Sequence, residues 1–376
     1  MNNKTRNIVV TSVFVAFIAF FVTMCIFMMF NPVTESKSER RDKMAQFPGE
    51  ITWQGIVDKT VIEDFEDATV DQFPFRDFFR EIKARFQYNV LGLSENNGLA
   101  IENGYIAKIE TNFNDKFIDY SISRLQANYN EFIKGTNGKH FLALIPDKNY
   151  FFANDYGYPS PDYDGLTDKV SAALPDMEYI DIYGDLELDD FYKTDTHWSQ
   201  DKILGVVDKL ATEMGISDRL SGEYRENVIE GFKGVYHGQS ALNPEPDKLV
   251  YLTNDVLDNC TVTYYPDNIK GNIYELEKVS GRDGYEMFLG GVVPLIRIDN
   301  PASTSGKSLV IFRDSYGSSI APLLVEAYDT VYLVDIRGAS IQHIKGWQVM
   351  RLIDFKNADV LFLYSTLVLN SNSFLP

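Results

Sequence analysis

At 376 residues and 45% hydrophobic content, the chain is long enough to bury one large core or two smaller ones. A net charge of −19, with a pI near 4.6, excludes nucleic-acid phosphate as a natural partner and suits a domain bathed in salty fluid. The two cysteines fall in different settings, Cys25 in an apolar run and Cys260 in the main body, so an internal disulfide is excluded.

The run from Ile8 to Phe30 carries no charge. Roughly 20 such residues span a bilayer. The run is longer than the apolar region of a cleaved signal peptide, and no Ala-x-Ala site follows. It is therefore expected to be an uncleaved anchor spanning residues 8–30, with residues 1–7 cytoplasmic, the alternative being a long signal peptide. Lys37, Arg40, Arg41 and Lys43 outnumber Lys4 and Arg6 across it. A long acidic domain is exported in spite of such a count, so the expected orientation keeps the C-terminal body outside. Residues 31–48 are polar and without periodicity, as a juxtamembrane spacer would be.

From residue 49 the composition is globular. Asp71 to Arg80 leads into a helical pattern that runs to about Tyr88, and Asp115 to Lys134 predicts an amphipathic helix with Ile118, Ile122, Leu125 and Tyr129 on one face. Phe141 to Ile145 is a buried strand stopped at Pro146. Pro146-Asp147-Lys148 ends that strand, either as a plain loop or as a segment that lines the cleft through Lys148. Tyr179 to Tyr183 reads as a second short strand, and Ser199 to Met214 as a helix stopped at Gly215. Residues 216–300 are rich in turns and β-formers and are expected to be a β-rich insertion. The last part alternates: a strand over Ser308–Phe312, a helix over Ser318–Ala327, a strand over Val331–Asp335, a helix over Trp347–Phe355 and a strand over Val360–Tyr364. Such alternation predicts a parallel sheet covered on both faces, with ligands beyond the carboxyl ends of its strands. Ser315 follows a strand end at that position.

Tyr192 to Trp198 supplies a carboxylate, Asp195, and an imidazole, His197, two residues apart. Phe312 to Gly317 supplies Ser315 on a turn. Serine is a weak nucleophile until a base takes its proton. His197 is the best base in the chain, and Asp195 is spaced to fix its tautomer. The competing reading has Asp195 or Thr196 cap the next helix and His197 sit on the surface. As a helix N-cap, Ser315 would also present backbone N–H groups to an oxyanion, from Ser315 itself and the residues just after it, Tyr316 and Gly317. Arg313 is either a substrate-carboxylate partner or half of a structural ion pair. His237, within Gly234–Gly238, is either a second imidazole near a site or a packed histidine. His140 and His343 carry no motif. Four histidines and no Cys-x-x-Cys pair leave no basis for a structural zinc site.

Asp195-Thr196-His197-Trp198 together with Arg313-Asp314-Ser315-Tyr316-Gly317 resembles the DHHW family and the related SGNH-hydrolase-like proteins of alginate O-acetylation. The resemblance extends to Asp71–Asp77, Asn103-Gly104-Tyr105, Ile145–Lys148, and Tyr285–Gly291 with Asn300. It implies a three-layer α/β/α SGNH-like fold over residues 49–376, with the triad in permuted order, Asp195 and His197 before Ser315. It also implies acetyl transfer to or from an extracytoplasmic polysaccharide, with a membrane-bound O-acyltransferase delivering the acyl group. Thr196 stands where the family has a second histidine, and is expected to point away from the triad. Arg313 replaces the glycine of the hydrolase Gly-Asp-Ser, and no hydrolase-type asparagine is evident, which leaves Gly290 or Gly291 as a further oxyanion donor.

Three functions follow from these residues: a membrane-anchored O-acetyltransferase working through an acyl-Ser315, a carbohydrate acetyl esterase with the same triad, and a non-catalytic glycan-binding assembly protein. None implies a cofactor or a metal.

Overall fold

The computed structural model describes residues 2–30, 32–36, 38–41, 43–337 and 349–371. Among the sequence features above, Lys37, His343 and Trp347 lie outside the described residues. The chain divides into two compact units, residues 1–97 with 237–243, and residues 98–236 with 244–376.

In the first unit, the uncharged run and its basic lead form one helix, α1 (Asn3–Phe30), long and apolar enough to cross a membrane. A short helical turn over Trp53–Val57 follows, then two longer helices, α2 (Thr60–Asp71) and α3 (Arg76–Asn89). The segment read as a juxtamembrane spacer is folded onto α2. Ser36 and Arg41 exchange backbone hydrogen bonds, and both terminal guanidinium nitrogens of Arg41 donate to Asp71, at 2.7 and 2.6 Å. The amide of Ala45 donates to Asp71 as well, at 2.8 Å. Asp71 is buried, and a buried carboxylate demands donors. Local composition cannot reveal a partner 30 residues downstream, which is why the segment reads as featureless.

The second unit opens with a hairpin, β1 (Leu99–Glu102) and β2 (Tyr105–Lys108), whose two-residue turn places Asn103 at φ 48° and Gly104 at φ 84°, a type I′ geometry. Helix α4 (Asp115–Asn128) continues as a π turn through Ile133. Then come β3 (His140–Ile145), α5 (Lys148–Tyr156), α6 (Tyr163–Ala173), β4 (Glu178–Tyr179) and α7 (Leu204–Met214). A separate two-stranded ladder pairs β5 (Arg225–Phe232) with β6 (Asp247–Thr253). The remaining strands are β7 (Thr261–Tyr265), β8 (Ile269–Gly271), β9 (Leu295–Asp299), β10 (Ser308–Arg313), β11 (Thr330–Val334) and β12 (Asp359–Ser365).

The main sheet has the order β4-β3-β12-β10-β11-β9-β7-β8. Pairing is parallel from β4 to β11 and antiparallel beyond it. Alternate residues of β10 feed two cores. Leu309 and Ile311 face α7, while Val310 and Phe312 face α4 and α6, which makes three layers. Strands buried on both faces read as unbroken apolar runs, as Leu309–Phe312 and Val360–Tyr364 do. Part of the stretch 216–300 forms the β5–β6 ladder, and part, β7 to β9, extends the main sheet.

Three predicted elements differ in detail. The strand expected through Tyr183 ends at Tyr179: after the Ile180 amide bonds Leu142, Asp181 accepts from the Tyr183 amide at 3.0 Å and turns the chain out of the sheet. The helix expected from Ser199 begins as a 3₁₀ turn over Gln200–Lys202, with α7 starting only at Leu204. The helix expected over Ser318–Ala327 is one α-turn, α8 (Gly317–Ile320), followed by a 3₁₀ segment over Ala321–Ala327 that carries Pro322 near its start.

Candidate active site

Strand β10 is flanked by β12 on one side and β11 on the other. The chain leaves β10 toward one neighbour and returns to the other, which opens a crevice at the strand's carboxyl end. Asp314 and Ser315 occupy that end. From Leu309 through Val325, Ser315 alone is not buried. Asp314, fully buried, orients the turn. One of its oxygens accepts from the Tyr316 amide at 3.0 Å, and the other from the Ser365 amide and hydroxyl at 2.8 and 2.6 Å. The ends of β10 and β12 are thereby tied together.

The loop from Phe191 to Trp198 folds back on itself. Tyr192 donates to the His197 carbonyl, and Phe191 bridges Trp198. At its tip Asp195 Oδ1 accepts from the His197 amide at 3.0 Å and from His197 Nδ1 at 2.6 Å, while Oδ2 accepts from the Val235 amide at 2.7 Å. A carboxylate only accepts. Nδ1 is therefore the protonated ring nitrogen, and the Nε2 lone pair is left to the Ser315 hydroxyl, 2.8 Å away. Asp195, His197 and Ser315 thus form one hydrogen-bonded line, brought together from two segments about 120 residues apart. The imidazole is stacked on the Tyr285 ring, with centroids 3.8 Å apart and planes 5° from parallel, and packs against Tyr316 on another side.

The surrounding polar groups are buried and used. Ser319 Oγ accepts from Trp198 Nε1 and from the Tyr285 hydroxyl, both at 2.8 Å, and donates to the Tyr316 carbonyl at 3.2 Å. One serine therefore anchors the indole beside His197 and the phenol ring on which His197 lies. Tyr316 donates its hydroxyl to the Thr196 carbonyl at 2.6 Å, and Thr196 Oγ1 sits 3.3 Å from that same hydroxyl.

The other residues singled out by sequence fall in different places. Arg313 is wholly buried. It lies 3.5 Å from Asp335 and donates to the carbonyls of Asp314 and Gly291, so it is a structural ion-pair partner beneath the turn and does not face a substrate. Gly317 is required by space, because a Cβ there would meet the Arg313 Cβ at 2.5 Å. Lys148 does not line a cleft. Its ammonium is buried and donates to the carbonyls of Ile106, Tyr192, Lys193 and Asp195, which clamps the back of the loop that carries Asp195. Burial pulls the Lys148 amine down to about 7; four carbonyls favour the charged form and oppose that pull. His237 is buried and belongs to the unit of residues 1–97.

The expected oxyanion donors are also revised. The Tyr316 amide is taken by Asp314 Oδ1, and the Gly317 amide by the Asp314 carbonyl at 3.1 Å. Among the described residues the Ser315 amide donates to no acceptor, so it is the N–H free to meet a developing negative charge. Gly290, at φ 73°, lies against the Tyr264 ring and accepts at its carbonyl from Lys278.

Several residues of the site carried no signal in the sequence. Gly234 is one: a Cβ there would lie 2.3 Å from the Thr194 carbonyl oxygen and 2.4 Å from the Asp195 Cβ. Asp247 is another, taking the amides of Lys193 and Thr194 at 2.8 Å each. Gly234 does stand in a Gly-rich stretch, which is a generic hint of close backbone approach.

An α/β sandwich with a serine at a strand-end turn, an imidazole on its hydroxyl and a carboxylate behind the imidazole is the arrangement of an SGNH-hydrolase-like fold. The model of the DHHW protein family matches residues 186–334, a span that contains Asp195, His197 and Ser315, and the resemblance to that family is thereby shown. Among solved structures, a DHHW family protein from Eubacterium siraeum is 20% identical with a TM-score of 0.56, over 74% of this chain and 94% of that one. Bacillus cereus PatB1 with a sulfonyl adduct is 18% identical with a TM-score of 0.55, over 73% of this chain and 97% of that one. PatB1 solved separately is similar at 17% identity, a TM-score of 0.54, and 74% and 99% coverage. These likenesses show the fold. No curated protein matches the sequence.

Proposed function

We propose that this chain is a membrane-anchored O-acetyltransferase of an extracytoplasmic polysaccharide, with Ser315 as nucleophile, His197 as general base and acid, and Asp195 as the carboxylate that orients His197. The observation that carries this reading is the line Asp195 Oδ1–His197 Nδ1 at 2.6 Å and His197 Nε2–Ser315 Oγ at 2.8 Å, ending on the one residue of its turn that reaches solvent. His197 takes the Ser315 proton as Oγ attacks the acetyl carbonyl, and the Ser315 amide meets the oxyanion. His197 returns that proton to the leaving group. A sugar hydroxyl then gives its proton to His197 and attacks the acyl-serine, and His197 passes that proton to Ser315 Oγ as the acyl–oxygen bond breaks, releasing acetylated glycan and free Ser315. The acetyl class and the glycan acceptor follow the family resemblance, as does an acyl donor delivered by a membrane-bound O-acyltransferase. Helix α1 supplies the anchor, with the site outside the cell.

The PatB1 structure that carries a sulfonyl adduct supports testing for an activated nucleophile in the same way. A sulfonyl fluoride should add one sulfonyl group to the wild-type chain, mapped to Ser315 by peptide mass, and none to Ser315→Ala. The same substitution should lower p-nitrophenyl acetate turnover by about 10³-fold or more with the melting temperature unchanged. Activity of Ser315→Ala within tenfold of wild type sinks the assignment. With oligosaccharide present, acetylated sugar should accumulate at the expense of free acetate; acetate alone would make the chain an esterase.

A further inference from the structure

Helix α3 is amphipathic the wrong way round for a soluble protein. Arg76 and Arg80 point into the unit, only 15% and 16% exposed at their side chains, and pair with Glu39, with Asp71 and Asp77 also in the network. Ala84, on the same side, is fully buried. With Phe75 just ahead of the helix, Phe78, Phe79, Ile82 and Phe86 fall within an arc of roughly 100° on the opposite side, at 3.6 residues per turn. These five are 63%, 58%, 42%, 47% and 51% exposed. Val90, Leu91 and Leu93 extend the apolar surface past the end of the helix. A contiguous patch of this kind marks a contact surface.

The unit itself says what covers the patch. The Phe21 ring of α1 stacks on Phe73 with centroids 5.7 Å apart, and Phe73, Phe79 and Phe78 continue as a chain of ring contacts. Phe21, Met24, Cys25 and Met28 are the residues of α1 that are partly covered, one face of its last turns. The segment that begins α3 is therefore held against the membrane end of α1.

We propose that the phenylalanine face of α3 lies in the interface of the bilayer that α1 enters, as a second contact with lipid; this rests on reading α1 as a membrane span. Aromatic rings with an apolar body suit that depth. The acidic residues Glu63, Asp64, Glu66 and Asp67 of α2 are exposed, so apolar burial drives the contact and anionic lipid does not.

The test uses the full chain in phosphatidylcholine nanodiscs, with Cys25 and Cys260 replaced by alanine and a nitroxide at Phe78→Cys, Phe86→Cys, Val15→Cys or Asp115→Cys. Collision with oxygen, which concentrates in lipid, is compared with collision with a water-soluble nickel chelate. The ratio at 78 and 86 should exceed that at 115 severalfold and approach that at 15. A ratio at 78 and 86 equal to that at 115, with 15 still shielded from nickel, overturns the lipid contact and leaves the span intact. Nickel access at 15 overturns the span. Exclusion of both reagents at 78 and 86 assigns the face to a protein surface and also overturns the proposal. With the wild-type chain, a photoactivatable phosphatidylcholine should leave adducts in residues 75–93 as well as in α1; adducts in α1 alone count against it.

Discussion

Asp195 shows how much of the site depends on single atoms. Its oxygens accept from the His197 amide, His197 Nδ1 and the Val235 amide, and the Nδ1 contact sets which ring nitrogen of His197 faces Ser315. Asp195→Asn should keep the melting temperature within a few degrees but lower kcat toward an acetyl ester by about 10⁴-fold, because the amide favours the wrong tautomer. Chelator should leave the wild-type rate unchanged; loss of activity restored by zinc would assign the pair to a metal. Lys148 makes a different prediction. Its amine is held below its ordinary value by burial, to about 7. Between about pH 7 and its ordinary value the unfolded chain binds more protons than the folded one, so stability attributable to this group rises as pH rises through that window. Thermal midpoints measured from pH 6.5 to 9 should climb for wild type relative to Lys148→Met. The variant should be less stable throughout, because its four carbonyls lose their donor. Parallel curves would mean that Lys148 stays charged. The sequence placed Lys148 just past a strand end but did not show that it opens a helix or that it points inward, since long side chains reach carbonyls on segments far away in sequence.

At the scale of elements, the loop that carries Asp195 and His197 is held by neighbours and not by its own propensity. It is braced by the Lys148 ammonium, by Asp247, and by the close approach of Gly234. Gly234→Ala should push this loop aside, cost about 1–3 kcal/mol and lower activity, since overpacking against backbone has few ways to relax. Gly184→Ala, where nothing lies within 4 Å of the added methyl, is the matched control and should be neutral. Equal melting temperatures and rates for the two variants would contradict the close packing. The strands of the parallel core were legible because strands buried on both faces have no polar alternation to confuse the reading. Element ends were less so: Asp181 diverts its strand by bonding the Tyr183 amide, and Pro322 lies in the 3₁₀ segment where the helix after Ser315 was expected to continue. Those choices rest on local hydrogen bonds that periodicity does not register.

For the whole molecule, the placement of the N-terminal segment has the largest practical consequence. A chain beginning at Asn31 keeps Arg41 and Ala45 as donors to Asp71 and should be soluble once α1 is gone, although the α3 face will favour mild detergent. A chain beginning at Gly49 leaves the buried Asp71 without Arg41, a loss on the order of 3–5 kcal/mol for a broken buried pair, discounted because Arg41 is 40% exposed. It should aggregate or melt lower; identical melting of the two truncations would show that this network contributes nothing. By itself, the sequence determined the apolar span, the parallel α/β core, and the pairing of Asp195 and His197 with Ser315, because each is written as a local pattern: an uncharged run, strand–helix alternation, or a motif of adjacent residues. Only the tertiary structure decided that Arg313 is buried against Asp335, that Lys148 clamps the loop from behind, that the Ser315 amide is the one left free, and that α3 turns its phenylalanines outward. Each of these depends on which side chains meet across long separations in sequence, and a buried charge finds its partner only when the fold brings it there.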